Sequence, residues 1–242
     1  MIYEIAGLRI QILNKYEYTT KFCALYLSKD QDSPADISAS VTEEEMQAEK
    51  AISPNYPDGY IENICIYRSI CMQLPTRNRF LMHCSVLEYE GNAYAFLGRS
   101  GTGKSTHSKL WLKALPSAKV LNGDKPIVEY KEGEFIAYGT PWMGKEHWGI
   151  NSNAPLKGLC FLEQAKVNDI RKLTPAEISA RLFTQILIPK DEDNAVATLE
   201  LADKLVTNVP SYLLQCDISE EAVKKSFEAL TGLSFEGRKN IS

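Results

Sequence analysis

The chain has 242 residues, 44% hydrophobic and 24% charged, with a formal net charge of −4. This ordinary globular composition can bury a sizeable core, as one large domain or as a small module plus a larger one. The acidic balance argues against a broad nucleic-acid or anionic-membrane surface, and no apolar run nears the ~20 residues a membrane span needs.

The N-terminus, Met1-Ile2-Tyr3-Glu4-Ile5-Ala6, lacks the basic start and long apolar segment of a leader, so a cytoplasmic protein with no membrane or nucleic-acid partner is expected. Residues 1–30 alternate apolar and polar, as in Leu8-Arg9-Ile10-Gln11-Ile12, which is the period of strands. Residues 31–58 are polar and acidic, carry Pro34, Pro54 and Pro57, and read as an exposed excursion or linker. Tyr60 to Leu74 fits a helix with Ile61, Ile64, Cys65, Tyr67 and Ile70 on one face, stopped by Pro75. Residues 1–75 are therefore expected to form a strand and helix region packed on a core domain of residues 76–242.

In that core, Phe80 to Tyr89 and Ala93 to Leu97 predict a hairpin turning at Glu90-Gly91-Asn92. Further strands are expected at Lys119–Leu121, Ile127–Tyr130, Glu134–Tyr138, Gly158–Leu162 and Ser211–Leu214. Thr174-Pro175-Ala176-Glu177 is a capping box with proline at the first helical position, predicting a helix to about Ile186. Helices are also expected near Asp191–Thr207 and Ser219–Leu230. The six cysteines are scattered, mostly within apolar runs and without a C-x-x-C pair, which fits small buried hydrophobes in a reducing compartment.

The segment that carries chemistry is Gly98-Arg99-Ser100-Gly101-Thr102-Gly103-Lys104-Ser105, of the form G-x-x-x-x-G-K-[ST]. Its glycines let successive N–H groups turn inward as an anion cradle. Lys104 adds a point charge for the β- and γ-phosphates, and the Ser105 hydroxyl can ligate a nucleotide-bound Mg²⁺. The apolar run Asn92–Leu97 before it and a helix from Ser105 to Leu115 after it supply the strand–loop–helix setting, with Thr106 at the helix N-terminus. The expected cofactors are ATP and Mg²⁺.

A metal-bound triphosphate needs an acidic group opposite the loop serine. Asp124, at the end of Lys119-Val120-Leu121-Asn122-Gly123-Asp124, is that candidate, although an Asn-Gly-Asp turn also has a purely structural reading. Tyr138 to Asn151 holds Trp142, Trp148, Lys145 and His147 among glycines; it reads either as a ligand-contacting loop or as a turn with its tryptophans in the core. Lys145 is its best candidate for a phosphate or acceptor contact, and His107 and His147 have weaker claims than His83.

Met82-His83-Cys84-Ser85-Val86-Leu87, the hairpin, the glycine loop and Leu121-Asn122-Gly123-Asp124-Lys125 follow an order that resembles HPr kinase/phosphorylase and its relatives in the phosphoenolpyruvate carboxykinase-like superfamily. The resemblance covers residues 80–165. It implies an α/β fold with a mixed, largely antiparallel sheet around the phosphate loop, and a transfer of the γ-phosphoryl of ATP to a hydroxyl. The hairpin entering the loop strand points the same way, because a parallel-sheet enzyme normally reaches that strand through a helix. Where the family has an Asp-Asp pair, the first position here is Gly123, so the base that takes the hydroxyl proton is Asp124, His83 or neither. Gly123→Asp is expected to restore the pair if the position tolerates a side chain.

Three functions follow: a kinase acting on a serine of a small protein or peptide or on a small hydroxylated molecule; a nucleotide-binding regulatory or scaffold protein; or a carboxykinase-type enzyme, for which the chain is short. The oligomeric state is open, a homo-oligomer included.

Overall fold

The computed structural model describes residues 1–238, so residues 239–242, assigned to the core domain by the sequence reading, lie outside the described residues. Strands β1 (Ile2–Ile5) and β2 (Leu8–Ile12) pair antiparallel about Ala6-Gly7, both at positive φ. Their alternation holds, but the strand reading of residues 1–30 is corrected further on, where Glu17–Phe22 form a short helix, α1.

The linker reading of residues 31–58 is also corrected. Strand β3 (Ile37–Ala39) adds in parallel to β2, completing a three-stranded sheet. Helix α2 (Glu43–Ile52) opens on a reciprocal capping box, with Glu45 N–H donating to Thr42 Oγ1 and Thr42 N–H to the Glu45 carboxylate. Its charged composition hid the helix. Helix α3 (Asp58–Met72) buries Ile61, Cys65, Ile66, Tyr67 and Ile70. One apolar cluster joins Ile66, Tyr67 and Ile70 and β1–β3 to Ile127 and Trp142 of the later chain. Arg79 reinforces that junction, donating to Ala6 O at 2.8 Å and pairing with Glu129 at 2.6 Å.

The large sheet is built from β4 (Arg79–Leu81), β5 (Cys84–Tyr89), β6 (Asn92–Leu97), β7 (Lys119–Asn122), β8 (Ile127–Lys131), β9 (Glu134–Tyr138), β10 (Asn153–Gln164), β11 (Asp169–Lys172) and β12 (Ser211–Cys216). Its main path is β4-β8-β9-β10-β6-β5-β7, with β12 pairing both β10 and β11. The expected strand 80–89 is broken at Met82-His83: β4 pairs with β8, and β5 with β6. Strand β10 is longer than expected because its start runs antiparallel to β9 and the rest parallel to β6 and β12. The sheet is mixed, and β6 has an antiparallel neighbour on one side and a parallel one on the other.

Side chains alternate between two apolar layers. Val86, Ala95 and Phe161 face helices α5 (Pro175–Leu182) and α6 (Glu192–Asn208), while Leu87, Phe96 and Cys160 face α4 (Lys104–Ala114) and α7 (Glu220–Thr231). Helix α5 keeps its predicted capping box but stops at Leu182, not near Ile186. The chain is diverted there: Gln185 O accepts from His83 N–H at 2.6 Å, and Ile186 bridges Met82. Among the described residues no helix is long and apolar enough to cross a membrane.

Candidate functional site

Strand β6 delivers the chain to a turn over residues 98–103, and α4 starts at Lys104. Gly101 and Gly103 have φ of 85° and 104°, a left-handed backbone that only glycine adopts without strain. Gly98 is closed for a different reason, since a Cβ there would lie 2.5 Å from Thr102 Oγ1. The Thr102 hydroxyl donates to Arg99 O at 2.8 Å, and Lys104 Nζ donates across the loop to Gly98 O at 2.8 Å. Burial lowers the Lys104 ammonium from its ordinary value, against the opposing charge of Asp124.

Behind the loop α4 is fixed to the sheet and to α7. Ser108 and Ser85 hydroxyls meet at 2.9 Å, and Ser226 Oγ lies 2.9 Å from both His107 Nε2 and Trp111 Nε1. His107 is buried and pulled down to about 4 by desolvation, so it is a neutral anchor.

In front of the loop lies a cavity of about 990 Å³. Ser100, Gly101, Gly103, Lys104, Ser105 and Thr106 form one wall; His83, Gly123, Asp124 and Lys125 form the next. Gly98, Arg99 and Thr102 instead line a smaller cavity of about 350 Å³ beside Glu163 and Arg181. Trp142 and the stretch Gly144–His147, with Lys145, close the third side. The fourth comes from the N-terminal region, from Tyr18, Phe22, Tyr56, Tyr60, Asn63 and Ile64. None of those was legible as a site residue, because no local motif marks them.

His83, placed by the break between β4 and β5, has Nε2 3.1 Å from Asp124 Oδ1. Lys125 Nζ lies 3.9 Å from the other oxygen. Burial pushes the Asp124 carboxyl up, but the His83 hydrogen bond and the charges of Lys125 and Lys104 outweigh it, leaving Asp124 below its ordinary value and ionised. Asn122 sets the turn: its Oδ1 accepts from Asp124 N–H at 2.9 Å and Lys125 N–H at 2.8 Å, and its Nδ2 donates to Thr140. The turn reading of Asn-Gly-Asp holds, and the same turn sets Asp124 on the cavity.

Gly123 is a steric requirement. A Cβ there would fall 2.7 Å from Met143 O, while Gly123 N–H donates to Trp148 O at 2.9 Å and Ile150 N–H to Leu121 O at 3.2 Å. The stretch 143–150 thus lies along the edge of β7 in the space an acidic side chain would need, so the condition on which Asp could be restored at 123, room for a side chain, is not met. Gly144, at φ 82°, presses on Asp124, with a Cβ position 2.9 Å from the Asp124 Cβ. Trp142 is buried and stacks on Tyr67 at 3.9 Å, whereas Trp148 sits under Lys109 Nζ at 5.0 Å.

Among the described residues no group of three or more His, Cys, Asp or Glu side chains forms a protein metal cage. Mg²⁺ does not require one, since it keeps waters and takes one or two protein oxygens with substrate phosphates. An ionised Asp124 and the Ser105 hydroxyl on one cavity fit that donor set.

No protein-family model and no curated protein matches the chain. Among solved structures it is similar to the Hpr(Ser) kinase/phosphatase from Coxiella burnetii, at 11% identity and a TM-score of 0.34, over 59% of this chain and 90% of that one. At that distance the site has to be read from its own residues.

Proposed function

We propose that this chain is an ATP- and Mg²⁺-dependent phosphotransferase that moves the γ-phosphoryl to the hydroxyl of a peptide, small protein or small molecule. The observation that carries this reading is that Lys104, at the head of a glycine loop and helix, opens on the same cavity as the His83–Asp124 pair. The amides of Ser100, Gly101 and residues 103–106, with the Lys104 ammonium, bind and orient the phosphates, and the helix N-terminus favours their charge. Ser105 and Asp124 would hold the Mg²⁺, which neutralises phosphate charge when bound.

With Asp124 ionised, His83 Nε2–H donates to it, and Nδ1 is left to accept the hydroxyl proton. The acceptor oxygen bonds to the γ-phosphorus, the bond to the β-phosphate oxygen breaks, and ADP leaves. Asp124 holds the imidazole in the required tautomer and offsets the charge it gains. Position 123 offers no room for a carboxylate, which favours this pair as the base.

The same closure of position 123 favours a second reading, a nucleotide-binding regulator without efficient transfer. Single-turnover incubation with γ-labelled ATP separates the two. Label appearing on an acceptor supports the kinase; tight binding without transfer to any acceptor or to water supports the regulator.

A further inference from the structure

The N-terminal wall of the cavity is aromatic and ordered by ring contacts. Tyr56 stacks on Tyr60 with centroids 4.6 Å apart and planes 21° apart, and Tyr18 meets Tyr60 edge-on at 6.0 Å. Their placement is fixed from below: α1 presses on α3 at Gly59, where a Cβ would fall 2.9 Å from the Tyr18 Cβ. Tyr56 is 47% exposed and Tyr18 39%, an unusual outlay of ring surface beside a polar loop.

Beneath the rings lies Asn63, 2% exposed and cavity-lining, whose Oδ1 has no hydrogen-bond partner among the described residues. The Nε1–H of Trp142, also buried and cavity-lining, has none either. An unpaired buried polar atom costs stability, and two such atoms belong to side chains that line this one cavity. Burial, the phenols of Tyr56 and Tyr18, and the charge of Asp124 together push the Tyr60 phenol above its ordinary value. This wall is within electrostatic reach of Asp124.

We infer that Tyr18, Tyr56, Tyr60 and Asn63 form the acceptor subsite, and that it takes a hydroxyl compound carrying a flat aromatic ring. The ring stacks on Tyr56 and Tyr60, and a polar group of the ligand pairs with Asn63. A cavity of about 990 Å³ holds such a ligand beside a nucleotide. Calling the ligand an acceptor rests on the kinase reading; the binding of the ring does not.

The test is titration of the full chain with three probes, N-acetyl-tyrosinamide, N-acetyl-serinamide and glucose, followed by ligand-observed NMR. Saturable binding of the tyrosine amide well ahead of the other two is expected. Tyr56→Ala, at an exposed position that spares the fold, should weaken it roughly two- to tenfold, the range for losing one aromatic pair. Asn63→Leu should weaken the probe while raising the thermal midpoint, because it removes an unpaired buried group. Equal binding of the three probes, or an affinity untouched by Tyr56→Ala, overturns the assignment. An Asn63→Leu protein of lower midpoint and unchanged affinity makes Asn63 structural and removes it from the subsite. Lys104→Ala should weaken ATP binding about 30-fold or more and spare the probe. Absence of ATP binding in the wild type with probe binding intact would sink the nucleotide reading alone.

Discussion

His83 Nε2 stands 3.1 Å from Asp124 Oδ1, across a gap in sequence that includes the hairpin, the glycine loop and α4. The contact exists because the backbone of both partners is held: His83 N–H by Gln185 O, and the Asp124 turn by Asn122 and by Cys84 N–H on Asp124 O at 3.1 Å. Both side chains line the cavity that Lys104 also lines.

That pairing gives the first expected outcome. His83→Ala should lower the rate of γ-phosphoryl transfer by about 10²–10⁴-fold, the range for loss of a general base, with little change in ATP·Mg²⁺ affinity. Asp124→Asn should lower both the rate and the Mg²⁺-dependent part of nucleotide binding. Equal loss of binding with and without Mg²⁺ would make Asp124 structural.

Lys104→Ala tests the loop. Truncating a partly buried charge that meets phosphate costs at least ~2 kcal/mol, so ATP affinity should fall about 30-fold or more by calorimetry. Unchanged affinity would remove residues 98–106 from the nucleotide site.

At position 123 the structure predicts a loss. Gly123→Asp drives a side chain onto Met143 O at 2.7 Å, and overpacking of this kind costs ~1–3 kcal/mol. The thermal midpoint should drop and transfer should not rise. A faster enzyme of undiminished stability would show that the 143–150 stretch yields.

Gly144→Ala carries two costs, a left-handed backbone at φ 82° and a Cβ 2.9 Å from that of Asp124. We expect a loss of ~1–2 kcal/mol in denaturant unfolding and a weaker His83–Asp124 contact, read as a shifted acid limb of the rate profile.

His107 makes stability depend on pH. Its folded value of about 4 lies below the ordinary 6.5, so between those values the unfolded chain binds the extra proton. Stability is therefore full above pH 6.5 and declines as pH falls towards 4, by ~3 kcal/mol in all. Urea unfolding of His107→Gln should show a flatter slope over that interval. An unchanged slope would show that another group carries it.

Where information was local, the sequence sufficed. The glycine loop, its flanking strand and helix, the capping box at Thr174 and the alternation of β1 and β2 follow from neighbouring residues and their backbone preferences. Helix α2 was legible too, in Thr42 and Glu45, but its charge masked the signal. Long-range pairing decided the rest: the break at Met82-His83, the early end of α5 and the parallel partners of β10 are set by strands far away in the chain. The aromatic wall of Tyr18, Tyr56 and Tyr60 and the closure of Gly123 by Met143 O depend on which distant segments come to share a surface. Spacing along the chain carries no record of such contacts, since packing joins residues by shape and volume and not by order.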